Sequence, residues 1–213
     1  MAKWEVIHGD CLDVLRTLPA GSVDAVVTDP PYGINLTPGD GKRNATEHRK
    51  VYGDDTPFDP APILAFNVPT VLWGANNFAD KLPRDGAWLA WDKVTQNGLN
   101  LRIAEYEFAW TNATARHQGF RHMWSGGYRA TERGTSFHPC QKPVALLAWC
   151  LGVVGAVPGW VVLDPYCGSG SLGVACVMRG IEYIGIEIDE KYCEIARRRI
   201  GEAANHLYAE ASA

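Results

Sequence analysis

Apolar and polar positions along the chain fall into short blocks with two different periods. Several blocks are near-continuous apolar runs that end in charged or turn-forming residues: "VDAVVTD" (23–29), "TVLWGANN" (70–77), "GAWLAWDK" (86–93), "WVVLDPY" (160–166) and "YIGIEID" (183–189). Runs of this kind predict strands covered on both faces of a parallel sheet. "KWEVIHGD" (3–10) predicts a further short strand. "EYEFAWTN" (105–112) differs, because Glu105 and Glu107 alternate with Tyr106, Phe108 and Trp110, which predicts a more exposed strand. Helical spacing places Cys11, Leu15 and Leu18 on one face, with Asp10 as N-cap, and Val144, Leu147, Leu151 and Val154 on another, with Pro143 in the first turn. A third helix follows the glycine-rich 168–170 and stops at Gly180. A fourth is capped by Asp189 and carries Tyr192, Ile195, Ala196, Ile200 and Ala203 on one side.

Seven strands interleaved with helices predict one α/β domain over 1–213, built on a doubly wound sheet. Two long polar connections, 33–57 and 111–137, interrupt the pattern and are candidate substrate-binding insertions, since loops of that length in a compact domain are functional or disordered. The composition, 46% apolar and 21% charged, is ordinary for a globular chain. The six cysteines form no C-x-x-C pair, so neither a metal site nor a disulfide framework is expected, and a cytoplasmic location is. No signal peptide or membrane span is expected either: "MAKWEVIHGD" is mixed, and glycines and a proline break the apolar stretch 144–162.

A net charge of −4 argues against broad nonspecific nucleic-acid binding, so local clusters matter more. Arg116, Arg121, Arg129 and Arg133 are opposed only by Glu132, while Lys42, Arg43, Arg49 and Lys50 form a second group. Each is either a solvated loop or a phosphate-contacting surface. Phe120, Trp124 and Tyr128 are interleaved with the first group, which makes it the better candidate for groove contact or stacking.

The chemistry concentrates at strand ends. "LDPYCGSG" stands between a strand and a helix, where Gly168 and Gly170 permit a tight turn and close ligand approach, and Glu187 ends the next strand where a carboxylate grips ribose hydroxyls. The loop lacks a full G-x-G-x-x-G and no Walker lysine follows, which favours a nucleoside without phosphates, S-adenosylmethionine being the common one. In an open α/β sheet, ligands bind beyond the carboxyl ends of strands where strand order reverses, so the strands ending in Asp29 and Asp164 are expected to face one crevice.

"TDPPYG", "LDPYCGSGSLGVA", "YIGIEID" and "HPCQKP" together resemble the DNA amino-methyltransferases that act on adenine N6 or cytosine N4, in the branch where the catalytic motif precedes the cofactor motif. The short chain and "VLWGANNF" are similar to compact phage members. The resemblance implies a Rossmann-like, S-adenosylmethionine-dependent methyltransferase fold, mostly parallel with one antiparallel strand. It implies that the Asp29 carboxylate and the Pro30 carbonyl accept the N–H bonds of the target amine, that Pro31 stiffens the turn, and that Tyr32 stacks on an extruded base. By the same resemblance, Asp164, Tyr166, Cys167, Gly168, Gly170 and Ser171 surround the methionine part of the donor, with Asp29 bordering it. Glu187 takes the ribose hydroxyls, and Asp10 with Cys11 closes over the adenine ring. His138, Lys142 and Pro143 form the last cofactor motif, its lysine near the donor's carboxylate. Asn76 and Asn77 either line the crevice or serve a turn.

The implied partner is double-stranded DNA, and homodimers are common in this branch. Aspartate at the head of the motif is commoner in adenine N6 enzymes. Cytosine N4 and RNA remain alternatives, as does a non-catalytic nucleic-acid-binding module.

Overall fold

In the computed structural model, residues 2–35, 52–93, 104–125, 128–134 and 136–211 are described. The second basic group, Lys42 to Lys50, lies outside them. The first half of the chain forms β1 (Trp4–His8), α1 (Cys11–Leu15), β2 (Ala25–Thr28), α2 (Ala61–Leu64), β3 (Thr70–Trp73) and β4 (Ala87–Asp92). After it come β5 (Tyr106–Thr111), β6 (Gln118–Arg121), β7 (Trp124–Ser125), β8 (Tyr128–Arg129) and α3 (Val144–Val153). The chain closes with β9 (Val161–Asp164), α4 (Ser171–Val177), β10 (Glu182–Glu187) and α5 (Glu190–Ala211).

The main sheet has eight strands in the order β1-β10-β9-β2-β3-β5-β4-β6, not the seven expected. The additional strand is β6, which comes from within 111–137 and pairs parallel with β4 at the edge. Its sequence, "QGFR", has one large apolar residue and so no periodic signal. The same segment forms the antiparallel β7–β8 pair, so it is not a structureless insertion. As expected, one strand runs against the rest: β5 is antiparallel to both neighbours, and the other pairings of this sheet are parallel.

β5 is interior rather than exposed. Its second half, Ala109 to Thr111, is buried beside β3 and β4, while β3 ends at the register of Ala109. Tyr106, Glu107 and Phe108 therefore continue past the end of β3, which explains the polar alternation: that half of the strand lines a cleft.

The two faces of the sheet are sealed separately. Ala25 and Val27 of β2 face a core with Leu146 and Cys150 of α3, Leu172 of α4 and Ala196 of α5, whereas Val26 faces Leu15, Ile63 and Phe78. Leu147, Leu151 and Val154 are buried as the stripe on α3 predicts, but Pro143 is the N-cap rather than a first-turn residue. Strand order reverses between β9 and β2: β9 leads to β10 on one side and β2 to β3 on the other. The strands ending in Asp164 and Thr28 are thus neighbours at the switch point.

Candidate active site

Beyond Thr28 the chain turns sharply through Asp29-Pro30-Pro31-Tyr32-Gly33. The prolines contribute no N–H, and the next three amides converge on one acceptor: Tyr32, Gly33 and Ile34 donate to Oδ1 of buried Asp54 at 3.0, 3.0 and 3.3 Å. Gly33 has φ +73°, and a Cβ there would stand 2.6 Å from the Thr56 carbonyl oxygen. The Tyr32 ring lies against Gly74, where a Cβ would come within 1.9 Å of a ring carbon.

The Asp29 carboxylate is engaged on both oxygens. Oδ1 accepts from the Tyr32 hydroxyl at 2.5 Å and Oδ2 from Lys142 Nζ at 2.5 Å. Lys142 Nζ also stands 3.3 Å from the Tyr32 oxygen and 3.2 Å from Glu107 Oε2, while Glu107 Oε1 holds Lys93. Burial raises the Asp29 carboxyl above its usual range, with Lys142 opposing and Glu107 adding to the rise. Burial also works to raise Glu107, but the Lys142 and Lys93 ammoniums outweigh it and hold that carboxyl low. Burial alone would lower Lys142, yet Asp29 and Glu107 keep its ammonium well above the ordinary value. Lys142 is therefore a buried cation on the acceptor side, committed to carboxylates of the protein. Its carboxylate partners are brought to it because β5 carries Glu107 past the end of β3.

At the end of β9, Asp164 Oδ1 accepts from Thr28 Oγ1 at 2.6 Å and from the Tyr166 amide at 3.3 Å. Burial pushes its carboxyl up to about 7. Glu187 Oε2 and Oε1 accept from the Gly168 and Asp189 amides, each at 2.9 Å. The His138 ring meets Tyr192 edge-on at 4.4 Å, and a Cβ on Gly168 would lie 3.7 Å from it. Asp10 caps α1, accepting from the Leu12 amide at 2.7 Å.

One cleft of about 1070 Å³ takes in both ends. Its lining includes the expected Asp29, Pro30, Pro31, Tyr32, Asp10, Cys11, His138, Lys142, Asp164, Tyr166, Cys167, Gly168, Ser171 and Glu187, together with Asn76, Asn77 and Trp124. Pro143 and Gly170 are not in it. Pro143 starts α3, and Gly170 faces α5, where a Cβ would stand 2.9 Å from the Ala196 Cβ. Arg116, Arg121, Arg129 and Arg133 are also outside the lining. Arg121 pairs with Asp92 at 3.4 Å, Arg129 lies 4.1 Å over the Trp124 ring, and Arg133 donates to the Arg129 carbonyl.

Sequence reasoning missed Asp54, Gly74, Glu107, Lys93 and Arg199. Buried Arg199 donates to Ser169 O at 2.7 Å, Ser169 Oγ at 2.9 Å, Ser171 Oγ at 3.2 Å and Glu132 at 3.0 Å, bracing the glycine loop from α5. A glycine directly after an apolar strand, as in "LWGANN", was the one available signal.

Chemically, the β9–β10 end presents carboxyl groups and backbone amides. Asp164 suits an amino group and Glu187 suits hydroxyls, whereas a phosphate there would face like charge. These residues fit a nucleoside carrying a cationic amino-acid tail. Among the described residues, no cluster of His, Cys, Asp or Glu could hold a metal, and no helix is long and apolar enough to cross a membrane.

Comparison with known proteins agrees with this chemistry. The model of the N6/N4 methyltransferase family, described as DNA methylase, matches residues 77–198, which include the glycine loop and Glu187 and begin after Asp29. The type II methyltransferase M.HinfI of Haemophilus influenzae is 25% identical over 92% of this chain and 68% of its own length. In fold, the chain is similar to M1.HpyAVI in complex with its donor (TM-score 0.56, 20% identity, 92% and 98% of the two chains). It is also similar to the cytosine-N4-specific PvuII DNA methyltransferase (TM-score 0.62, 14% identity, 97% and 93%). With more than half of the residues inside the family match and both motif-bearing strand ends meeting in one cleft, the chain belongs to the DNA methylases of the N6/N4 family, whose methyl donor is S-adenosylmethionine.

Proposed function

We propose that this protein transfers a methyl group from S-adenosylmethionine to the exocyclic N6 amine of adenine in double-stranded DNA. The observation that carries this reading is the Asp29-Pro30 pair at the end of β2, opposite the Asp164 turn at the end of β9, in one cleft. An exocyclic amine is a poor nucleophile because its lone pair is delocalised into the ring. The Asp29 carboxylate and the Pro30 carbonyl can accept its two N–H bonds, which favours a pyramidal nitrogen with a directed lone pair. Both acceptors are set beforehand by the Asp54 tether, so positive charge developing on that nitrogen meets fixed oxygen dipoles. Asp164 would hold the donor's amino group and Glu187 its ribose hydroxyls. The bound donor supplies an electrophilic methyl group on a sulfonium, and the protein's part is placement and water exclusion.

Aspartate at position 29 supports adenine, because the resemblance links it more often with N6 enzymes. Exposed Tyr106 and Phe108, stacked at 6.4 Å on the cleft wall, offer faces for bases beside the target. Incubation with labelled donor and duplex DNA, followed by digestion to nucleosides, tests the assignment. Label is expected in N6-methyladenine; label in N4-methylcytosine would overturn the choice of base, and label found only with RNA would overturn the choice of polymer. Asp29→Ala is expected to abolish transfer while donor binding survives. Near wild-type turnover in that variant would refute the catalytic assignment.

A further inference from the structure

We propose that Glu107 is a positioning residue that, together with Lys93, provides a second berth for the Lys142 ammonium, so that Lys142 can release Asp29 to the incoming amine without leaving a buried cation unpaired. The inference rests on the methyl-transfer reading and adds to it a residue and a movement.

Three observations lead there. First, the acceptor that transfer requires is already taken, since Asp29 Oδ2 holds Lys142 Nζ at 2.5 Å. A substrate N–H must compete with a full positive charge for that oxygen, and charge-assisted hydrogen bonds are about twice as strong as neutral ones. Second, among the described residues Glu107 Oε2 is buried without a hydrogen bond, although Lys142 Nζ stands 3.2 Å away. An unmade hydrogen bond on a buried carboxylate is costly, and a small swing of the lysine tip would complete it. Third, Glu107 is itself fixed from behind, because its other oxygen holds Lys93, itself largely buried. A carboxylate anchored on one oxygen, and on the other ion-paired to Lys142 without a completed hydrogen bond, is suited to receive that cation fully and return it.

The groups facing Asp29 come from every side of the pocket: Tyr32 on its own turn, Lys142 and Cys140 ahead of α3, Glu107 on β5 with Lys93 behind it, and Asp164 at the end of β9. Glu107 contributes negative charge that raises the Asp29 carboxyl, and Lys142 contributes positive charge that lowers it. Removing the Glu107 charge therefore has two separable effects. It deprives Lys142 of its alternative, which binds it more tightly to Asp29 and slows turnover. It also eases ionisation of Asp29, which moves the acid limb of the rate profile to lower pH.

Glu107→Gln keeps the size of the side chain and discards its charge. Its kcat, read as total methyl transferred to duplex DNA whichever base accepts it, is expected to fall about 100-fold. KM for donor and for DNA should stay within about threefold, since neither contact is removed. The acid limb should shift down, and Glu107→Asp should recover part of the rate. Adding Lys142→Met to Glu107→Gln should make the double variant faster than Glu107→Gln alone, because the competing cation is gone. A Glu107→Gln enzyme with wild-type kcat overturns the proposal, as does a loss confined to KM, an acid limb moved upward, or a double variant slower than the single one. Absence of methyl transfer by the wild-type protein would instead overturn the function on which the proposal rests.

Discussion

Asp164 is a carboxyl that its surroundings incline to keep protonated. Burial lifts its carboxyl to about 7, against which the Thr28 hydroxyl bond works only in part. A folded value above the unfolded one means that folding takes up a proton. The stability this contributes is complete below about pH 4 and is lost as pH rises through about 7. A cationic amino group bound beside the carboxyl prefers the ionised form, so the sign for donor binding is opposite. Affinity for S-adenosylmethionine is expected to rise between about pH 6 and pH 8 with release of protons, read by calorimetry in two buffers of different ionisation enthalpy. Thr28→Val, which removes the hydroxyl but keeps the shape, should move that rise to higher pH. A flat affinity over the range would refute the assignment of Asp164 to the amino group. At this scale the sequence was legible where a residue type itself limits the backbone or ends an apolar run, as at Asp29, the two prolines, Gly168 and Glu187. Glu107 was not legible, because its partner Lys142 is supplied by tertiary register and not by neighbouring residues.

The turn after β2 is held from outside itself. Asp54 collects three of its amides, and Gly74, at the end of β3, leaves space for the Tyr32 ring. Gly74 has φ +68°, so a side chain there is strained as well as obstructed. Gly74→Ala is expected to displace Tyr32 and cut methyl transfer about 100-fold while lowering Tm by only a few degrees. Thermal melts and turnover measured on the same preparation check this, and wild-type turnover would show that Tyr32 need not occupy that space. Apolar runs without alternation identified the central strands, because burial on both faces leaves a plain signature. The edge strand β6 has one large apolar side chain and is held by pairing with β4, so its sequence pattern is that of a loop. The pattern of β5 is that of an exposed strand, since a strand half in the sheet and half along a cleft alternates as an exposed one does.

Across the whole molecule, the eight-stranded order brings the turns at Asp29 and Asp164 to the same end of the sheet, on either side of the β9–β2 boundary. With a net charge of −4, attraction for a polyanion has to come from local surfaces. Arg121 and Arg133 are exposed outside the cleft, on the segment that also contributes Trp124 to its wall. Reversing both to glutamate is expected to weaken DNA binding and to reduce the slope of log affinity against log salt by about two, without changing donor affinity. An unchanged slope would exclude this segment as a phosphate-contacting surface. Arg129 is a poorer probe, because it stacks on Trp124 at 4.1 Å and its loss would disturb the wall itself.

The four ion-paired side chains beside the acceptor turn have a further consequence. Asp29 and Glu107 contribute two negative charges, and Lys93 and Lys142 two positive ones, so this ion-paired set of four sums to zero. An uncharged base entering beside it leaves that balance unaltered, but the same base becomes a surplus cation at the moment its nitrogen gains a methyl group. That surplus leaves the base as a proton, and Asp29, whose carboxyl burial has already made more basic than usual, is the nearest place for it to go; the four side chains then carry one positive charge until the proton passes on to solvent.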